Sequence, residues 1–118
     1  VTASMDQLDF KVPIRLGQLV TLRSAVNYVG RTSMEVGVRV EAEDTITGER
    51  VHAASAYLTF VALGEDDNPS EVRRLTPQTP QEKLRWQDAI ARRKQRLTLA
   101  KKRQHLAKRH HDQERDAK

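Results

Sequence analysis

This chain of 118 residues predicts an α+β fold, an antiparallel sheet followed by a single C-terminal helix. Three observations carry that reading. The first 64 residues follow the two-residue apolar period of strands, Thr79-Pro80-Gln81-Glu82 spells a helix start, and the charge changes character after Gly64. Up to Gly64 there are six Lys or Arg against seven Asp or Glu, and from Glu65 onward fifteen against nine, so the net charge of +5 belongs to the C-terminal half. A chain this short holds one domain. Its expected parts are sheet over residues 1–64, a linker loop over 65–78, a docking helix over 79–100, and a basic polar tail over 101–118 that frays or is disordered.

The first element, Val1 to Phe10, reads as a strand already in progress, without a start Met. Asp6 and Asp9 lie three apart on it, which points them to opposite faces unless a bulge intervenes. Pro13 and Gly17 punctuate the link to Leu19–Val29, where Val20, Leu22, Val26 and Tyr28 alternate with Thr21, Arg23 and Asn27. Met34, Val36, Val38, Val40 and Ala42 alternate with Glu35, Gly37, Arg39 and Glu41, so this strand is expected to have one face on a core and one in water. Asp44-Thr45-Ile46-Thr47-Gly48-Glu49 is dense in turn formers and closes a hairpin into the strand from Val51 to Leu63. That last strand is apolar or small on both faces, which calls for cover from a second layer. Ala53 to Ala56 suggest a close-packed neighbour such as a helix. After the solvent loop Glu65 to Ser70, Thr79 caps a helix with Pro80 in its first turn and Glu82 completing a capping box. Leu84, Trp86, Ala89, Ile90 and Leu97 form its expected docking stripe.

Several function classes fall away. There are no cysteines, which removes disulfides, thiolate metal sites and a Cys nucleophile together. No apolar run approaches the roughly 20 residues that span a bilayer, and the N-terminus has no signal pattern. Of the four histidines, His105, His110 and His111 belong to a solvated basic tail with no carboxylate organised beside them, and His52 opens a covered strand in a structural role. The clusters Arg92-Arg93-Lys94, Lys101-Lys102-Arg103 and Lys108-Arg109 could hold a nucleic acid electrostatically. Trp86 is alone in that half, however, so the interleaved aromatics that stack bases are missing and a solvated helix end is the plainer reading. Gly30-Arg31-Thr32-Ser33 offers a flexible residue, a permanent cation, two hydroxyls and consecutive N–H groups, suited to a phosphate or a pantetheine amide. The same composition also makes an ordinary hairpin turn.

Four motifs in order resemble the hot-dog acyl-CoA thioesterases, specifically the cytosolic acyl-CoA hydrolase group. They are Val1-Thr2-Ala3-Ser4-Met5-Asp6 with Phe10, Ile14-Arg15 and Gly17; Thr32-Ser33-Met34-Glu35-Val36; Ala53-Ala54-Ser55-Ala56-Tyr57-Leu58-Thr59-Phe60-Val61; and Leu75-Thr76-Pro77-Gln78-Thr79 leading into Glu82-Lys83. The likeness fades after about Arg96. It implies a curved antiparallel sheet wrapped round a central helix, with the family's first strand and that helix lying ahead of the segment matching Val1. It also implies that the catalytic acid sits on that helix, so no catalytic residue is assigned in this sequence, and Asp6 is not the acid.

The resemblance further implies hydrolysis of an acyl-CoA thioester to free CoA and fatty acid, with this chain as the C-terminal part, inactive alone. Arg31, Thr32, Ser33 and Met34 are the expected CoA-binding residues. Arg31 would meet a phosphate, the Thr32 and Ser33 backbone would meet pantetheine amides, and Asn27 would be a neighbour across the hairpin. No cofactor is expected beyond the CoA of the substrate, and no metal. The expected partners are acyl-CoA and copies of the same chain, as a dimer and a trimer of dimers, in the cytoplasm, without membrane or nucleic acid. The alternatives are a sheet module with a nucleic-acid-binding basic arm, or a non-catalytic acyl-CoA-binding or oligomerisation domain.

Overall fold

The computed structural model describes residues 1–117. Strands β1 (Thr2–Phe10), β2 (Leu19–Val29), β3 (Ser33–Glu43) and β4 (Arg50–Val61) precede one helix, α1 (Pro80–Asp116). The sheet is antiparallel throughout, in the order β1-β4-β3-β2. Consecutive strands β2, β3 and β4 form a meander, and β1 closes on its far side against β4.

Turn chemistry sets these connections. Asp44 accepts from the N–H groups of Ile46 and Thr47, and Gly48 takes the left-handed φ of 74° that an L side chain rarely adopts. The chain can then re-enter the sheet at Arg50, one residue from the expected Val51. The same two N–H groups hold the Asp44 carboxyl below the usual carboxylate range.

Pairing aligns the apolar residues in rows across one face. Met5 faces Leu58, which faces Val36, which faces Val26; Leu8, Ala56 and Val38 make the next row, and Phe10, Ala54, Val40 and Leu22 the third. Helix α1 does not lie on this face. It crosses the other one, where Tyr28, Glu35, Tyr57 and Asp6 meet Trp86, Arg92 and Arg96. The face expected to be in water is therefore partly covered, and Glu35 is buried. The apolar face is the open one, with Met5 56%, Phe10 67% and Leu22 67% exposed. The fully enclosed core consists of small residues, Ala42, Ala53, Ala54, Ala56 and Ala89.

Two bulges correct the simple alternation. The register of β2 against β3 shifts between Val26 and Tyr28, so Tyr28 pairs with Glu35 and joins Asn27 on the helix-covered face instead of Val26 on the apolar one. A shift between Met5 and Gln7 brings Asp6 and Asp9 to the same face. Each keeps its own partner: Asp6 accepts from Ser4 and Thr59, and Asp9 from Gln7.

The helix start is as expected. Thr79 accepts from the Glu82 N–H, and the Glu82 carboxylate reaches back to the N–H groups of Gln78 and Thr79. The docking stripe differs: only Trp86 and Ala89 of the expected five turn inward, while Leu84, Ile90 and Leu97 are exposed. Arg92 and Arg96 continue the stripe instead, at the spacing of successive turns. They suit it because the sheet face they meet carries carboxylates. The helix then runs on past residue 100 to Asp116, exposed on every side after Arg96. Its continuation rests on local propensity, since Lys, Arg, Gln, Leu and Ala all lose little side-chain freedom in a helix.

Candidate functional site

The hairpin from β2 to β3 turns through Gly30, Arg31 and Thr32, closed by the Gly30 N–H donating to the Ser33 carbonyl at 2.8 Å. The loop before the helix folds against it: the Val72 N–H donates to the Arg31 carbonyl and the Ala62 N–H to the Thr32 carbonyl, at 2.8 and 2.9 Å. Between this turn, that loop and the first turns of α1 lies a groove of about 510 Å³. Arg31 and Arg74 stand on its rim with Glu71, and Tyr28 and Trp86 line it, their ring centroids 4.8 Å apart in an edge-on pair at 68°. Among the described residues, neither Arg31 nor Arg74 has a carboxylate within 4 Å. Two uncommitted guanidiniums beside aromatic walls can receive a phosphorylated ligand with an organic body.

The five residues expected to hold such a ligand do not gather in one place. Arg31 lines the groove. Thr32 and Ser33 supply the turn's backbone, but the Thr32 and Ser33 carbonyls are already taken by Ala62 and Gly30. Met34 pairs with Phe60 and Val29 and, alternating with Glu35, takes the apolar face of the sheet. Asn27 is buried on the helix-covered face, its amide donating to Glu35 at 3.1 Å. Arg74, Trp86 and Tyr28 were missed. The loop carrying Arg74 has no periodicity to read, and the Tyr28 bulge hid its side; only the loop's closeness to a helix start hinted that it could fold back.

Beneath the helix lies a polar network that the sequence did not announce. Glu35 accepts from Arg92 through both carboxylate oxygens, with the shortest contact 2.7 Å, while the Arg92 guanidinium stacks 3.7 Å above the Tyr57 ring. Burial works against the Arg92 charge, yet the hydrogen bonds and attraction from Glu35 outweigh it and hold the group above its ordinary pKa. Asp6 faces Arg96 at 3.9 Å. The carboxylates of Asp6 and Glu35 are thus committed to partners on the side away from the apolar rows. His52 is equally committed: its Nε2 lies 3.0 Å from the Ala54 carbonyl and 2.7 Å from Ser55 Oγ. Since a carbonyl can only accept, Nε2 carries the proton and does not serve Ser55 as a base.

The sequence profile described as the thioesterase superfamily matches residues 1–49. An uncharacterised acyl-CoA thioester hydrolase, YkhA of Bacillus subtilis, is 44% identical over 107 residues, covering 91% of this chain and 62% of its own length. An apo-hexameric acyl-CoA thioesterase is 42% identical and superposes with a TM-score of 0.78 over 85% of this chain and 64% of its own. An acyl-CoA hydrolase of Staphylococcus aureus, solved in complex with butyryl-CoA, CoA and CoA disulfide, superposes with a TM-score of 0.81 at 33% identity, over 92% of this chain and 66% of its own. A variant of that enzyme is 32% identical, with a TM-score of 0.81 and 68% of its chain covered. This chain therefore spans just under two thirds of the Bacillus relative and of the hexameric thioesterase.

Proposed function

This chain belongs to the thioesterase superfamily, with the hot-dog fold of the acyl-CoA hydrolases, and on that premise we propose that the protein hydrolyses acyl-CoA. Water attacks the thioester carbonyl carbon, the carbon–sulfur bond breaks, and CoA leaves as a thiolate that takes up a proton, freeing the fatty acid. The residues described here supply the sheet and the CoA-holding edge of the site. One observation carries this assignment: the groove beside the hairpin turn, where Arg31 and Arg74 are free to meet phosphate and Tyr28 and Trp86 to meet the organic body. Thr32 and Ser33 shape the turn that presents Arg31, Met34 lies on the apolar face towards which an acyl chain would run, and Asn27 holds the strand pair beneath through Glu35.

Water activation is assigned to no residue of the chain. The paired apolar rows of the open sheet face carry no carboxylate, and Asp6 and Glu35 are engaged on the other side. CoA is read as part of the substrate, with no further cofactor. The hexameric relative supports assembly of copies of this chain into dimers and a trimer of dimers. The proposed location is the cytoplasm; among the described residues no helix is long and apolar enough to cross a membrane. The nucleic-acid reading gains no support, because no Phe, Tyr or Trp follows Trp86 and the basic helix end has no such ring for base stacking.

Titration of CoA into the chain tests this reading without requiring turnover. Arg31→Ala is expected to weaken CoA binding roughly tenfold, the value of one charge-assisted phosphate contact. Unchanged affinity would remove the hairpin groove from the site.

A further inference from the structure

We propose that a second cleft, between α1 and the polar face of the sheet, binds a small anion of the diphosphate class. It is separate from the hairpin groove and has a volume of about 450 Å³. Lys11, Arg23 and Arg39 stand on its sheet side, and Arg85 and Arg92 on its helix side. Five cations around one cleft would normally be neutralised by as many carboxylates. Here they are not. Glu35 matches Arg92, Glu41 is shared between Arg39 at 3.1 Å and Arg23 at 3.9 Å, and Asp88 is the single acid on the lining. Five cations against these three carboxylates and Glu82, which interacts with Arg85 over a longer distance, still leave the cleft positive. Among the described residues, Lys11 and Arg85 have no carboxylate within 4 Å.

Lys11 at the end of β1 and Arg85 in the early turns of α1 stand on opposite walls, neither with a carboxylate in contact. An anion with charge at both ends, as two linked phosphates provide, can answer both walls at once. The hydroxyl of Tyr57 adds a neutral donor between them. Recognition of a nucleobase is disfavoured, because the Tyr57 ring already carries the Arg92 guanidinium on its face and the His52 imidazole is held against Ala54 and Ser55. The ligand is thus selected by charge, and its binding would tie the helix to the sheet.

The test is calorimetric titration of inorganic pyrophosphate into the full chain, with thermal denaturation in parallel. Saturable one-to-one binding is expected, weakening with salt and raising the melting temperature by mass action. The double variant Lys11→Ala/Arg85→Ala, altered only at exposed side chains, should keep its far-UV circular dichroism and lose affinity about a hundredfold. Arg31→Ala, in the other groove, should bind pyrophosphate unchanged. The proposal is overturned if millimolar pyrophosphate gives no saturable binding, if sulfate binds equally well, if the double variant binds like the parent, or if Arg31→Ala abolishes binding. None of these readouts depends on thioester hydrolysis.

Discussion

Arg92 holds three things at once: the Glu35 carboxylate, the Tyr57 ring and its own helix against the sheet. Its partner Glu35 is the more buried of the two, with a side chain 7% exposed against 18%. Removing one member of such a pair costs more than the pair contributes, since the survivor stays buried without a counter-charge. Glu35→Ala, which also strips the Asn27 amide of its acceptor, should destabilise the fold by about 3 kcal/mol in urea denaturation. The double variant Glu35→Ala/Arg92→Ala should cost less than the sum of the two single changes, and additive costs would show that the pair is not coupled. A second residue-scale prediction concerns acid. The N–H groups of Gln78 and then Thr79 hold the Glu82 carboxyl below its ordinary range. A depressed carboxyl contributes stability above its unfolded value of about 4, and that contribution is lost as the pH falls through the folded value. Glu82→Gln should therefore flatten the fall in melting temperature between pH 6 and pH 3 (roughly the carboxylate range), and an unchanged slope would sink the assignment. Thr79 and Glu82 were legible in sequence because a capping box is a local contract between residues three apart. Glu35 and Arg92 were not, because 57 residues separate them and only the fold introduces them.

For the elements, the sheet was far more legible than the helix. Period-two patterning located β2, β3 and β4 to within a residue or two at most ends, and the Asp44 turn to its hinge. What it could not give was the side each face looks towards. Alternation in β3 sorts Val36 from Glu35 but does not say that the helix will choose the Glu35 side, which depends on arginines at two helix positions. The bulges at Tyr28 and Asp6 were equally hidden, since one inserted residue leaves composition untouched and reverses everything beyond it. Among the described residues, α1 is exposed at every position after Arg96 and makes no ion pair there. We expect residues 101–118 to contribute little to the fold, so a chain ending at residue 100 should match the parent's unfolding free energy within about 0.5 kcal/mol. Amide hydrogens beyond Leu99 should exchange with little protection, and strong protection there would reveal a contact that this single chain does not show.

Across the whole molecule, the unusual property is its sidedness. Charged and hydroxyl side chains sit beneath the helix, while Met5, Leu8, Phe10 and Leu22 lie open on the opposite face. A continuous apolar surface of this kind drives association when nothing covers it. Sedimentation of the isolated 118-residue chain should show self-association that grows with concentration, with enhanced fluorescence of a hydrophobic dye. A monomer that leaves the dye dark would contradict it.

The strand order carries a consequence in time. Because β1 pairs with β4 and not with its successor β2, its backbone finds no ladder partner until some fifty further residues have been made; Asp6 and Thr59 stand 53 apart in sequence. Arg96, which then lies against Asp6, arrives later still. During synthesis the meander of β2, β3 and β4 can form from neighbours, whereas β1 must wait for β4. β1 is thus made before β2, β3 and β4 yet fixed after them, and any delay after β3 lengthens the interval in which that strand is loose.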